Sequence, residues 1–103
     1  MPLIAVSDQH PDVIARQTIF EGRVQGVGFR YSCRELAKGF DLSGTVENQS
    51  DGTVKLILQG EQEEVEEYLN ELVEESALSH HIKGQMITPI ECDLNLKGFS
   101  ILK

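Results

Sequence analysis

The chain has 103 residues, 40% of them hydrophobic and 25% charged, which suits one globular domain around one core. A net charge of −8 argues against nucleic acid as a partner, because phosphate-backbone binding needs a basic footprint. The two cysteines, Cys33 and Cys92, form neither a disulfide framework nor a zinc-type motif, and they suit a reduced, cytoplasmic setting.

Residues 1–14 contain Pro2, Pro11 and a polar middle and are expected to form a tail, leaving 15–103 as the domain. Their apolar run, Leu3-Ile4-Ala5-Val6, is short for a secretory leader and no basic residue precedes it. No stretch approaches the length of a transmembrane helix, so no membrane partner is expected.

Residues 16–24 read as a strand, with Phe20, Gly22 and Val24 on one face and Glu21 and Arg23 on the other. A glycine at 22 predicts that another element approaches closely there. The loop Gln25-Gly26-Val27-Gly28 follows. Phe29, Cys33, Leu36, Ala37 and Phe40 then share one helical face. Gly39 and Asp41 read as stop signals, Asp being tolerant of the left-handed conformation.

Leu42 to Asn48 reads as a second strand, in which Leu42, Gly44, Val46 and Asn48 share a parity. Asp51-Gly52 marks a hairpin turn into a third strand, Thr53 to Gln59, with Val54, Leu56 and Leu58 inward. Glu61, Glu63 and Glu64 fall at the start of a second helix, where the dipole favours negative charge. Its buried stripe is Val65, Leu69, Leu72 and Val73, with Tyr68 beside it. A fourth strand is expected within about 80–90 and a short last one at about 99–102. The order is that of an α+β, ferredoxin-like βαββαβ sandwich, with two helices on one face of a mostly antiparallel sheet and a short extra C-terminal strand.

Charge is unevenly spread. Arg16, Arg23, Arg30, Arg34 and Lys38 lie between 16 and 38 against only Glu21 and Glu35. Residues 61–75 hold eight glutamates and no basic residue, and they read as a solvated helix face. One end of the molecule can therefore attract a small anion.

The segment Gln25-Gly26-Val27-Gly28-Phe29-Arg30 joins a strand to a helix. A helix start leaves N–H groups unpaired and carries the positive end of the dipole. Glycines let the main chain curl around an anion, and a guanidinium in the first turn completes the cradle. No Gly-Lys-Ser/Thr follows, and Tyr31 stands where a dinucleotide fingerprint needs its third glycine. Spacing alone fits a phosphate cradle and a tight turn with an exposed Arg30 equally well. Asn48 has inward parity at a strand end, and asparagine is a poor strand residue. Its plainer reading is nucleation of the turn through Gly52.

Gly22-Arg23-Val24-Gln25-Gly26-Val27-Gly28-Phe29-Arg30-Tyr31 resembles the phosphate-loop signature of the acylphosphatases. Gly44-Thr45-Val46-Glu47-Asn48, followed by Asp51-Gly52-Thr53-Val54, is similar to their second signature. Ala37, Gly60-Glu61 and Gly98-Phe99-Ser100-Ile101 extend the likeness over about 16 to 102. The resemblance implies hydrolysis of acyl phosphates to carboxylate and phosphate, with no metal and no cofactor. It implies that Arg30 and the backbone of 25–30 hold the phosphoryl group and that Asn48 orients the attacking water. Phosphate, or another small oxyanion, would be product and inhibitor, and the enzyme would act as a monomer. Three positions depart from the family pattern: Thr45 replaces a frequent large aromatic, Glu47 a basic or neutral residue, and Asp41 a turn glycine. Related domains occur within larger maturation proteins, but these 103 residues are expected to hold no second domain. The rival reading is a non-catalytic anion-binding module of the same fold. An RNA-binding domain of this architecture is disfavoured by charge and by the lack of an aromatic strand motif.

His80 and His81 are neighbours that would face opposite ways on a strand and, with His10 in the tail, suggest no metal cluster. Cys33 lies on the apolar helix face and Cys92 lacks a His partner in sequence, so neither reads as a nucleophile. Phe29 and Tyr31 are expected to pack rather than to stack on a ligand.

Overall fold

The computed structural model describes residues 13–102. Strand β1 covers Val13–Gly22, so Val13 and Ile14, expected in the tail, open the first strand. The rest of that expected tail lies outside the described residues. Helix α1 follows at Phe29–Ala37, then β2 at Leu42–Asn48 and β3 at Val54–Glu61. Helix α2, Gln62–Asn70, runs on into a wider π-helical turn at Glu71–Glu75. A 3-10 turn at Ser79–His81 leads into β4, Ile82–Ile90, and β5 is Phe99–Ile101.

The strands lie in the order β4-β1-β3-β2-β5. Every pairing is antiparallel except β2 with β5, which is parallel. The fold is the ferredoxin-like α+β sandwich that the element order predicts. Alternation along β3 sends Val54, Leu56 and Leu58 into the core, all without solvent exposure. Against them pack Phe29, Cys33 and Ala37 of α1 and Val65, Tyr68 and Leu69 of α2. Tyr68 belongs to the buried stripe, and its hydroxyl donates to the Cys33 carbonyl oxygen at 2.8 Å. That bond satisfies the polar end of a buried aromatic and ties the two helices together.

Two expectations at element ends need correction. Neither Gly39 nor Asp41 takes a positive φ. Helix α1 ends instead by tightening, with Lys38, Gly39 and Phe40 N–H groups donating to the carbonyls of Glu35, Leu36 and Ala37. The Asp41 N–H then donates to the Glu64 carboxylate at 2.7 Å, so α2 receives the chain where α1 releases it. At the end of β1 the register against β4 shifts between Glu21 and Gly22. This bulge breaks the alternation expected through Val24: Gly22 is exposed while Val24, already in the loop, is fully buried.

Candidate active site

Antiparallel register brings the pieces of the site to one end of the sheet. Phe20 pairs with Val54, and Val54 pairs with Asn48, so the end of β1 and the end of β2 flank the start of β3. Parallel β5 finishes at the same end, with Ile101 beside Val46.

The chain leaves β1 and enters α1 through a loop in which Gly26 and Gly28 have φ of 79° and 78°. A side chain in this left-handed region costs about 1–2 kcal/mol. A Cβ at either position would meet nothing within 4 Å, so the demand is torsional rather than steric. Left-handed residues on both sides of Val27 make the kind of concavity along which successive N–H groups can share an anion. Among the described residues, the N–H groups from Gly26 to Tyr31 have no backbone acceptor. Gly28 is the N-cap of α1, with no side-chain cap and no acid in the first turn. The positive end of the helix is therefore neutralised by none of its own groups.

Arg30 is half-buried in that first turn, and among the described residues it forms no salt bridge. With Gly26, Gly28, Tyr31 and Ile101 it lines a cavity of about 190 Å3, floored by Val24 and Phe29. Phe29 is buried against Phe20, with ring centroids 5.3 Å apart, so it packs as expected and offers the site only its backbone. Tyr31 does not pack inside. It is 57% exposed, lines the cavity and lies beneath the Arg34 guanidinium, 5.4 Å from the ring centroid.

Asn48 ends β2 with the inward parity of Val46. Its Oδ1 is sealed from solvent and, among the described residues, has no hydrogen-bond partner. An orphaned buried acceptor costs about 1–3 kcal/mol, more than turn nucleation explains. The turn is held by other groups: Asp51 Oδ1 accepts from the Thr53 N–H at 3.0 Å and its hydroxyl at 2.7 Å, and Gln49 N–H donates to Thr53 O. Those bonds to Thr53 also hold the exposed Asp51 carboxyl below its ordinary pKa.

Asn48 does not itself line the Arg30 cavity. The two are linked by Gln25, whose Nε2 donates at 2.9 Å to both Gln49 O and Thr53 O. The Gln25 amide nitrogen thus straps the loop to the hairpin that carries Asn48. Sequence reasoning groups Gln25 with the phosphate loop but carries no signal for this strap, which joins residues 24 and 28 positions apart. The same holds for Ile101.

The remaining candidates separate from the site. Burial pushes the Cys33 thiol up to about 12, and Cys92 is exposed with its sulfur 4.0 Å from the Val13 carbonyl oxygen. His80 and His81 sit in the 3-10 turn rather than on a strand. Their rings lie against each other with centroids 4.4 Å apart instead of facing opposite ways. Among the described residues no three His, Cys, Asp or Glu side chains are grouped to hold a metal ion. Among them, too, no helix is long and apolar enough to cross a membrane.

The acylphosphatase family model matches residues 16–101. The chain belongs to the acylphosphatase family. An acylphosphatase of Lacticaseibacillus paracasei is 33% identical over 88 residues, covering 85% of this chain and 95% of that protein. The crystal structure of acylphosphatase from Bacillus subtilis superposes with a TM-score of 0.78 at 29% identity, over 87% of this chain and 99% of that one. Full-length HypF, in a phosphate- and nucleotide-bound form, matches with a TM-score of 0.77 at 32% identity, but only 12% of its length is covered. Family membership makes this chain a hydrolase of the carboxyl–phosphate bond of acyl phosphates rather than a binding module alone. The departures from the family pattern lie off the cavity: Glu47 pairs with Lys55 at 3.9 Å, and Thr45 sits across from Ile57 on β3.

Proposed function

We propose that Arg30 and the N–H groups of residues 25–30 bind the phosphoryl group of a small acyl phosphate and that Asn48 orients the attacking water. The observation that carries this reading is the uncapped, acid-free start of α1 with Arg30 beside it, in no salt bridge among the described residues. A forked guanidinium and converging N–H groups match the equatorial oxygens of a transferring phosphoryl group. The orphaned Asn48 Oδ1 supports the second role. The terminal torsion of asparagine is broad, so turning the amide plane exposes the acceptor to a water.

Water oxygen then bonds to phosphorus as the bond to the acyl oxygen breaks, and the electron pair leaves on the carboxylate. A carboxylate is a weak base and departs unprotonated, so no general acid is needed. The water's proton passes to a phosphate oxygen. What remains for the protein is positioning and charge stabilisation. The products are a carboxylate and inorganic phosphate, which competes for the same cradle. The two free thiols suit action in the cytoplasm, and we take the working unit to be a single chain.

Hydrolysis of benzoyl phosphate by the purified protein, after dialysis against a chelator, tests the reading. Turnover should survive dialysis undiminished. Loss of activity with rescue by a divalent ion would overturn this mechanism.

A further inference from the structure

On the β4 side of the same sheet end lies a second cavity, about 660 Å3, lined by Gly22, Arg23, His80, His81 and Lys83. In a chain of net charge −8 it gathers two of the nine Lys and Arg residues and two of the three histidines. Among the described residues none of these four side chains is ion-paired. The Glu21 carboxylate lies beside Gly84 and does not line the cavity.

The cluster is assembled by the backbone. Glu21 pairs with Gly84 and Gly22 with Ile82, so Lys83 is the extra residue of the bulge and is turned out of the ladder. Gly22 sits at φ +125°, and a Cβ there would fall 2.3 Å from His81 O and 2.8 Å from Lys83 N. Only glycine lets the end of β1 and the start of β4 close at this point. The Arg23 N–H donates to His81 O at 2.9 Å, which ties the main chain at Arg23 to that of the histidine pair. Bulges beside active sites commonly re-aim side chains, and here the bulge at Lys83, the 3-10 turn and the end of β1 bring four nitrogen-bearing residues around a single space.

Arg23 precedes the phosphate loop directly. Its Cα and that of Gly26 are three residues apart, and so no more than about 11 Å. Val24, between them, forms part of the Arg30 cavity. The basic cavity thus lies within reach of an acyl chain whose phosphate occupies the loop.

We propose that the Arg23, His80, His81 and Lys83 cavity is a subsite for the acyl end of the substrate, selecting acyl phosphates that carry a second anionic group, a carboxylate or a phosphate, at the far end. This rests on the phosphate loop holding the other end. Elsewhere the surface is strongly acidic and repels a dianion more than a monoanion, so preference for the more highly charged substrate requires a local basic site.

The test compares succinyl phosphate with butyryl phosphate, which have equal chain length and differ by the terminal carboxylate. In the wild-type protein kcat/KM should favour succinyl phosphate by on the order of tenfold at low salt, and the ratio should shrink as salt screens the subsite. In the double variant Arg23→Ser with Lys83→Ser the ratio should fall to about one or below, with butyryl phosphate turnover unchanged. A wild-type ratio of one or less, or an equal loss on both substrates in a variant with an unaltered urea midpoint, would overturn the subsite. If the double variant does not fold, the wild-type ratio and its salt dependence decide alone. Failure to hydrolyse either substrate would instead count against the phosphate-loop reading.

Discussion

A guanidinium offers a planar fork to a tetrahedral oxyanion, whereas an ammonium offers a point charge. Arg30→Lys should therefore be severely impaired in turnover. A ligand that binds only the folded state raises its stability by mass action. Inorganic phosphate should protect the wild-type protein against thermal unfolding and fail to protect Arg30→Lys. Equal protection of both would mean that Arg30 is not the clamp. Asn48 makes a different forecast. A water held in line loses less entropy on reaching the transition state, and that gain appears in kcat rather than in ground-state binding. Asn48→Ala should lower kcat, and kcat/KM with it, by at least on the order of 100-fold, about 2.7 kcal/mol. Phosphate affinity should stay near wild type. The Asp51–Thr53 bonds hold the hairpin without the Asn48 side chain, so the fold should survive. A folded Asn48→Ala protein with unaltered kcat would remove Asn48 from the mechanism.

At the scale of elements, the loop into α1 depends on backbone conformation, and two glycines eleven residues apart, Gly28 and Gly39, make the point. Gly28, at φ 78°, caps α1. Gly28→Ala places a Cβ in open space but forces an L-residue to remain left-handed, so stability should fall by about 1–2 kcal/mol. If the loop relaxes instead, phosphate protection is lost. Gly39 ends the same helix without a positive φ, and a Cβ there would make ordinary contact at 3.7 Å. Gly39→Ala should be neutral or stabilising by about 0.4–1 kcal/mol, because it restricts the unfolded chain without strain. Urea midpoints of the two variants check the opposite signs. Similar losses in both would show that torsion at Gly28 is not what the loop requires.

Across the whole molecule, the two helices are locked to each other and to the sheet through Cys33 and Tyr68. Burial drives the Cys33 thiol from 9.0 to about 12, opposed to a lesser degree by the neighbouring Tyr68 hydroxyl. Burial likewise pushes the Tyr68 phenol upward, reinforced by the neighbouring thiol. Both groups are held neutral in the fold while the unfolded chain ionises them at ordinary values. Their stabilising contribution is complete below about pH 9 and is lost as pH climbs toward the folded values. Each such group contributes a slope of about 1.4 kcal/mol per pH unit once the unfolded form titrates. Between pH 9 and 10.5 the stability of Cys33→Ala, starting lower, should therefore fall less steeply than that of wild type. Parallel slopes in urea titrations would show that the thiol ionises freely in the native state.

The sequence by itself determined the element order, the inward faces of β3 and both helices, the glycine loop into α1 and the hairpin motif. These are local properties: side-chain periodicity follows backbone geometry within a few residues, and turn glycines act where they stand. Short spacing placed Arg30 in the first turn of a helix after a glycine loop, and the family resemblance rather than spacing singled it out. The tertiary structure alone decided what depends on contact across the sheet. Gln25 looked like a loop residue, yet its side chain crosses to the hairpin. Asp41 needed no left-handed turn, because Glu64 from the other helix receives its N–H. The histidine pair joined Arg23 through a bulge whose register is set by the pairing of β1 with β4, which no single segment encodes.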